Sequence, residues 1–357
     1  MQLHRIALAV AAAFPLVTLA QAPTTTAADV STKALGVVTI VSSGQPTSLP
    51  TQIPTAMEGI TGEQLARTTN ATDSEDALKY FPSILVRKRY IGDYNHAVLS
   101  SRASGTGNSA RSAVYADGIL LSNYLGNGAT FAPRWGLVTP EEIARVDVMY
   151  GPFSAAYPGN SVGAVVDYVT RMPTKLEAHV KAGMVSQPFS LYGTQDTYNA
   201  WQTSASLGSR AGDWSWFVNL NRTNSHGQPL TFPTRLKSAG LAGTAGTAVT
   251  GAVLDANNAN APWYNLGSGT EYTTIQDHAK LKLAYDINPG VRASYTYGLW
   301  KNTSEGRPTT YLRNASGQPV FSGAINIDGL AFTGSNALSG SDFVLTNESL
   351  VHSMHGI

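Results

Sequence analysis

From Lys175 onward, apolar and polar positions alternate along the chain. Ala178, Val180, Ala182 and Met184 interleave with His179, Lys181 and Gly183, and Trp201, Thr203, Ala205 and Leu207 with Gln202, Ser204 and Ser206. The rhythm returns at Trp214–Leu220, where Phe217 interrupts the polar face, at Ala279–Tyr285 against Lys280 and Lys282, and at Val291–Leu299. A period of two sustained over about ten residues predicts strands with two unlike faces. The apolar face leans on Ala, Trp and Tyr, whereas a soluble sandwich core favours Val, Ile, Leu and Phe. Tight hairpins are predicted at Gly208–Asp213 and Asn288–Gly290, with a long Gly/Ala/Asn-rich excursion at 224–270, a second long loop at about 303–341 and a last strand at Asp342–Val351.

Before Met172 the grammar is different. Thr139-Pro140-Glu141-Glu142 has the spacing of a capping box, with proline where its missing N–H costs nothing. The helix it starts must be short, because Val146 and Val148 impose strand alternation and Gly151-Pro152 breaks it. A second β-rich run follows a glycine turn at Ala164–Thr170. Upstream, Asp73–Tyr80 reads as a short helix with acidic residues in its first turn, ended by Phe81-Pro82. Ser83–Tyr90 reads as a strand, and Asp117-Gly118 as a tight turn. Residues 46–172 thus make a small α/β domain with long polar loops.

Composition narrows the function. The 357 residues carry a net charge of +1 with only 13% charged and no basic block, which excludes nucleic acid as the expected partner. With no cysteine there is neither a disulfide framework nor a thiolate metal site. His4 and Arg5 precede an apolar run from Ile6 to Leu19, and Ala20-Gln21-Ala22 offers small residues for cleavage; residues 1–22 read as a secretory signal peptide. No later stretch is a candidate membrane helix, so a membrane location would have to use strands.

Gly159-Asn160-Ser161-Val162-Gly163 fits the nucleophile-elbow pattern, but that elbow needs a helix after it and a β-branched run follows. Glu141 and Glu142 read as dipole and capping residues rather than an acid/base pair. His352 and His355 would share an ion only in a helical tail; a disordered end is expected. No catalytic residue, metal site or cofactor is predicted.

The ordered set of Phe81-Pro82-Ser83-Ile84, Arg102, Tyr115-Ala116-Asp117-Gly118 and Glu141–Pro152 resembles the plug domain of TonB-dependent outer-membrane receptors. Two departures, Ala103 after Arg102 and Tyr150 before Gly151-Pro152, put the family's plug-to-barrel charge contacts in doubt. The resemblance implies an α/β plug at 46–172, a small mixed sheet with short helices, followed at 173–357 by the first strands of an antiparallel transmembrane β-barrel. It makes Leu35, Val37, Val38, Thr39, Ile40 and Val41, an apolar island in the flexible segment 23–45, the site gripped by TonB. It implies a bulky solute such as a ferric siderophore, docked at plug apices where Arg89, Tyr90, Tyr94 and Tyr124 are the candidate ligand residues. Arginine offers paired donors to anionic chelates, and tyrosine joins an apolar face to a hydroxyl. The implied location is the outer membrane of a Gram-negative bacterium, with its lipid as partner. Too few residues follow Met172 to close a plugged barrel of about 22 strands, so a truncated receptor is expected. A secreted β-rich adhesin or carbohydrate-binding protein is the competing reading.

Overall fold

The computed structural model describes residues 47–357 apart from 54, 95, 103, 106–108, 127–130, 152–155, 344 and 345, all within the unit Gln45–Ile357. The predicted signal peptide and Leu35–Val41 lie outside the described residues.

The first half is a mixed five-stranded sheet. Its strands are β1 (Met57–Thr61), β4 (Ala113–Ala116), β5 (Ile119–Leu120), β6 (Ile143–Tyr150) and β7 (Ala164–Thr170), with a separate pair formed by β2 (Ile84–Val86) and β3 (Leu99–Ser101). Their order is β1-β6-β7-β4-β5, and only β4 and β7 run parallel. The near-continuous apolar runs of β6 and β7 are buried on both faces, as central strands require. Asp117 (φ 48°) and Gly118 (φ 80°) take the two left-handed positions that the β4–β5 hairpin needs. The helix α1 (Gly62–Thr68) opens with a capping box from Thr61 to Gln64. The predicted helices after Asp73 and Thr139 each shrink to one 3-10 turn, Ser74–Leu78 and Pro140–Glu142. The predicted strand at Ser83–Tyr90 survives only as Ile84–Val86, and beyond it Lys88 is drawn into polar contacts.

Those contacts surround Lys88. Its Nζ lies 2.8 Å from Asp73, 2.7 Å from Asp76 and 4.0 Å from Glu75. Burial works against the ammonium, yet the three carboxylates outweigh it and hold its pKa above the usual lysine range. Glu75 fares worse: burial, then Asp73, push its carboxyl well above its ordinary 4.5. A carboxyl whose folded pKa is raised weakens the fold as pH climbs from the unfolded value through the folded one. Glu75→Gln removes that loss. Its stability advantage over the parent should therefore be small near pH 4 and grow above pH 4.5. Heat unfolding in detergent across pH 4–8 measures it; a pH-independent difference would show that the Glu75 carboxyl has the same pKa folded and unfolded.

The second half is a six-stranded antiparallel sheet built from β8 (Glu177–Leu191), β9 (Thr194–Ala211), β10 (Trp214–His226), β11 (Tyr272–Asn288), β12 (Val291–Gly306) and β13 (Asn347–Gly356). Each strand pairs with the next in sequence, from β8 to β13. The two faces are inverted relative to a soluble sheet. On β9, Gln202, Ser204 and Ser206 are buried while Trp201 and Leu207 are exposed; on β11, Thr274, Gln276, His278, Lys280 and Lys282 are buried while Ile275, Leu283 and Tyr285 are exposed. Phe217, the predicted interruption, is the apolar residue on the inner face of β10, packed beside Pro173 and Gly208.

Two expectations fail. The last strand runs Asn347–Gly356 rather than ending at Val351, so the tail is ordered by pairing with β12. His352 faces inward and stacks on Trp300, whereas His355 bonds Tyr295 on the opposite face, so the pair shares no ion. The long excursions are not irregular either. Residues 227–271 and 307–343 fold together around Tyr264, Leu266, Leu312, Ile325, Ile327 and Phe332. Arg235 clamps one excursion to the other, with a fork-on-carboxylate pair to Asp342 at 2.6 and 2.9 Å and bonds to the carbonyls of Asn336 and Ala337. This small β body also covers the tight Tyr192-Gly193 turn joining β8 to β9: Tyr311 lies against Gly193 and its hydroxyl is 2.6 Å from Thr194 Oγ1.

Candidate functional site

The inner face of the sheet and the first domain meet along a polar seam. At its centre the reverse arm of the Thr139 capping box is present: Thr139 N–H donates to Glu142 Oε1 at 2.8 Å. The same oxygen accepts from Lys280 Nζ of β11 at 2.8 Å, and both side chains of this ion pair are 0% exposed. A cap residue has become a docking residue. Burial raises the Glu142 pKa, and Lys280 opposes that rise by favouring the carboxylate. His278, one step along the same face of β11, donates from Nδ1 to Gly136 O (2.9 Å), leaving Nε2 at 3.7 Å from Glu142 Oε2. Asn219 Nδ2 donates to Thr139 Oγ1 at 2.7 Å.

Around this centre the contacts repeat one polarity: acids on the domain, lysines on the sheet. Lys282 Nζ donates to Asp117 (3.0 Å) and to Thr170 Oγ1 (2.7 Å). Lys181 Nζ donates to Glu141 (2.8 Å) and to Ala71 O (2.6 Å). Neutral amides extend the seam, with Gln202 Nε2 on Thr72 O at 2.6 Å and Gln276 Nε2 on Gly92 O at 2.9 Å. A cavity of about 20 Å³ lies in it, lined by Thr139, Gln202, Asn221, Thr223 and His278 among others. That is room for one water among polar groups. Among the described residues, apolar anchorage comes from Trp300 and Met354, which enter the core of the domain from the sheet, and from Leu350 packed against it.

The four candidate ligand residues separate into two kinds. Arg89 is exposed, and among the described residues it makes no ion pair. Its N–H donates to Asp93 Oδ2 at 3.1 Å, and Asp93 also holds the His96 ring at 2.8 Å, so a buried carboxylate shapes this apex. Tyr90 is buried against Gly227, and burial pushes its phenol pKa up. The Tyr94 hydroxyl donates to Glu348 of β13, and its ring meets Trp300 edge-on at 5.7 Å. Tyr124 is half-buried, and burial raises its phenol pKa too. Arg89 thus stays open to the loop side, while Tyr90 and Tyr94 fasten the apex to the sheet. Sequence reading missed the seam residues Glu142, Lys280 and Lys282 as docking groups. Their signal was present: two lysines on the polar face of a strand otherwise suited to lipid.

Ser161 of the nucleophile-elbow pattern donates to Pro158 O at 2.7 Å, and the strand β7 follows it instead of a helix. Among the described residues no group of three or more His, Cys, Asp or Glu could hold a metal.

This architecture, a mixed-sheet domain leaning on the polar face of an antiparallel wall, agrees with the sequence family that matches it. Residues 49–165 match the TonB-dependent receptor plug domain. That segment is similar to a TonB-dependent receptor plug. None of the curated proteins is recognisably similar in sequence. Among solved structures, a mutant of the ferric enterobactin receptor PfeA of Pseudomonas aeruginosa, in complex with enterobactin, is similar at 15% identity, with 70% of this chain and 33% of that one covered and a TM-score of 0.44. The siderophore receptor PirA of Acinetobacter baumannii is similar at 16% identity, 71% and 32% coverage and a TM-score of 0.43. The ferric citrate transporter FecA is similar at 17% identity, 73% and 41% coverage and a TM-score of 0.38. The chain spans about a third of the length of the first two. These residues build a mixed-sheet domain and a six-stranded antiparallel wall.

Proposed function

We propose that the chain acts in a TonB-dependent outer-membrane receptor that takes up a scarce, bulky solute, a ferric siderophore being the favoured class. The observation that carries this reading is the plug held by a polar seam of ion pairs and amides to the inner face of a wall whose outer face is apolar. A plug meant only to stabilise a wall would be better glued with apolar side chains; ion pairs and amides can be exchanged for water when the plug is pulled. The pull would come from TonB, gripping Leu35–Val41 by strand addition and drawing on the proton-motive force. On the loop side, Arg89 contacts the anionic chelate, Tyr124 supplies a second contact, and Tyr90 and Tyr94 hold the apex in place.

Two measurements test the reading. The periplasmic part of TonB, immobilised, should retain the full chain and lose it when residues 35–41 are deleted; equal retention would remove that segment from the scheme. Ferric enterobactin and ferric citrate, titrated against the fluorescence of the 6 tryptophans, should identify a binding chelate. Arg89→Ala should then weaken it about 10–100-fold, the worth of a hydrogen bond to a charged group. Unchanged affinity would discard Arg89 as a ligand residue.

A further inference from the structure

Three charged residues form a row across the outer face of the wall. Arg222 on β10 and Asp277 on β11 are register partners, and their side chains form a forked pair, Nε to Oδ1 at 2.6 Å and Nη2 to Oδ2 at 2.9 Å. Lys301 on β12 is the register partner of Asp277 on its other side and is exposed. Both members of the pair are far from buried, at 56% and 44% exposure. The row holds two cations and one anion.

Its position along the strands is informative. Towards the hairpin turns, the outward positions of the same strands are Leu220, Val218, Trp216 and Trp214; Ala279, Leu281, Leu283 and Tyr285; and Leu299, Tyr297, Tyr295 and Ala293. None is charged. The next charges stand at the hairpin rim, where Arg210 and Arg292 flank Asp286 at 2.7 and 3.5 Å. From Tyr285 to Asp277 the strand covers about 27 Å at ~3.4 Å per residue. Tilted by ~40–45°, that is about 20 Å of depth, close to the ~25 Å apolar band of outer-membrane barrels. The charged row therefore marks the loop-side limit of the uncharged band. A concavity of about 520 Å³ lies on this face, lined by Leu220, Leu299, Arg222, Asp277 and Lys301 among others. Apolar side chains stand on one side of it and cations on the other.

We propose that this row is a docking level for an anionic lipid, whose phosphate sits at Lys301 and the free edge of the Arg222 guanidinium while its acyl chains lie along Leu220 and Leu299. This rests on the membrane-wall reading given above. Asp277 takes up one cation's worth of charge, so the surplus is single and selects one phosphate rather than a general anionic surface. Above the row the strands continue into the β body, so that body stands clear of the hydrocarbon.

Lipid selectivity measured by electron spin resonance tests this on the full chain in phosphatidylcholine bilayers. Spin-labelled phosphatidic acid should enter the motionally restricted boundary population about twofold over spin-labelled phosphatidylcholine. The Arg222→Gln/Lys301→Gln double variant should bring the two to parity, and Asp277→Asn should raise the excess above the parent's. A purely structural ion pair would not produce that opposite response. An unchanged excess in all variants, with the restricted phosphatidylcholine fraction intact, overturns the proposal alone. Absence of any restricted lipid would overturn the membrane reading and this one with it.

Discussion

Lys280→Met lowers the stability of the full chain by about 3–5 kcal/mol, the cost of leaving one member of a buried ion pair without its partner. Glu142 and Lys280 are both fully enclosed at the seam. Methionine approximates the volume of lysine but removes the ammonium, so the Glu142 carboxylate keeps only the Thr139 N–H at Oε1. One backbone donor does not replace a full charge in a site that excludes water. The Glu142→Gln/Lys280→Met double variant removes both charges and should recover most of the loss. Heat unfolding in detergent, with both variants beside the parent, checks the pair as a cycle. If the double variant is as unstable as the single one, packing rather than charge sets the value of the contact. Lys282→Met should cost less, because Asp117 lies partly open to water.

Trp300→Ala costs a similar amount, about 3–5 kcal/mol, through a different mechanism. The indole is 3% exposed and belongs to the plug core although β12 supplies it. It stacks on His352 at 4.9 Å, meets Tyr94 edge-on, and lies so close to Gly136 that a Cβ there would come within 2.4 Å of it. Truncation opens a cavity between plug and wall. The loss should appear as faster hydrogen exchange at Leu137 and Val138, whose N–H groups close the turn around Gly136. Slow exchange there together with a lowered unfolding temperature would place the damage in the wall instead. Trp300→Phe, keeping an aromatic ring, should lose less than half as much.

The fold was legible wherever a pattern ran long enough. Alternation through Ala279–Tyr285 and Trp201–Leu207 gave both the strands and their faces, because burial on one side of a pleat imposes a period of two. The capping box at Thr139 was legible from four residues. Its second role was not, since that depends on Lys280, far away in sequence and brought near only by register. The β body was missed for a related reason: its strands, such as Ile325–Ile327 and Leu330–Phe332, are too short to show a period, and Arg235 and Asp342 are joined only by folding. Among the candidate ligand residues, the residue types that recognise chelates also make good packing. Tyr90 and Tyr94 are taken up by the wall, and nothing local in the sequence separates them from Arg89.

The whole account requires side chains of one parity on the wall to touch lipid and those of the other parity to touch the plug. Because the chain has no cysteine, single cysteines can be placed at Ser204, Ala205, Ser206 and Leu207, labelled with a fluorophore, and exposed to brominated lipid. Strong quenching at 205 and 207 with little at 204 and 206 is the expected result. Equal quenching along the run, or none at any of the four, would contradict it.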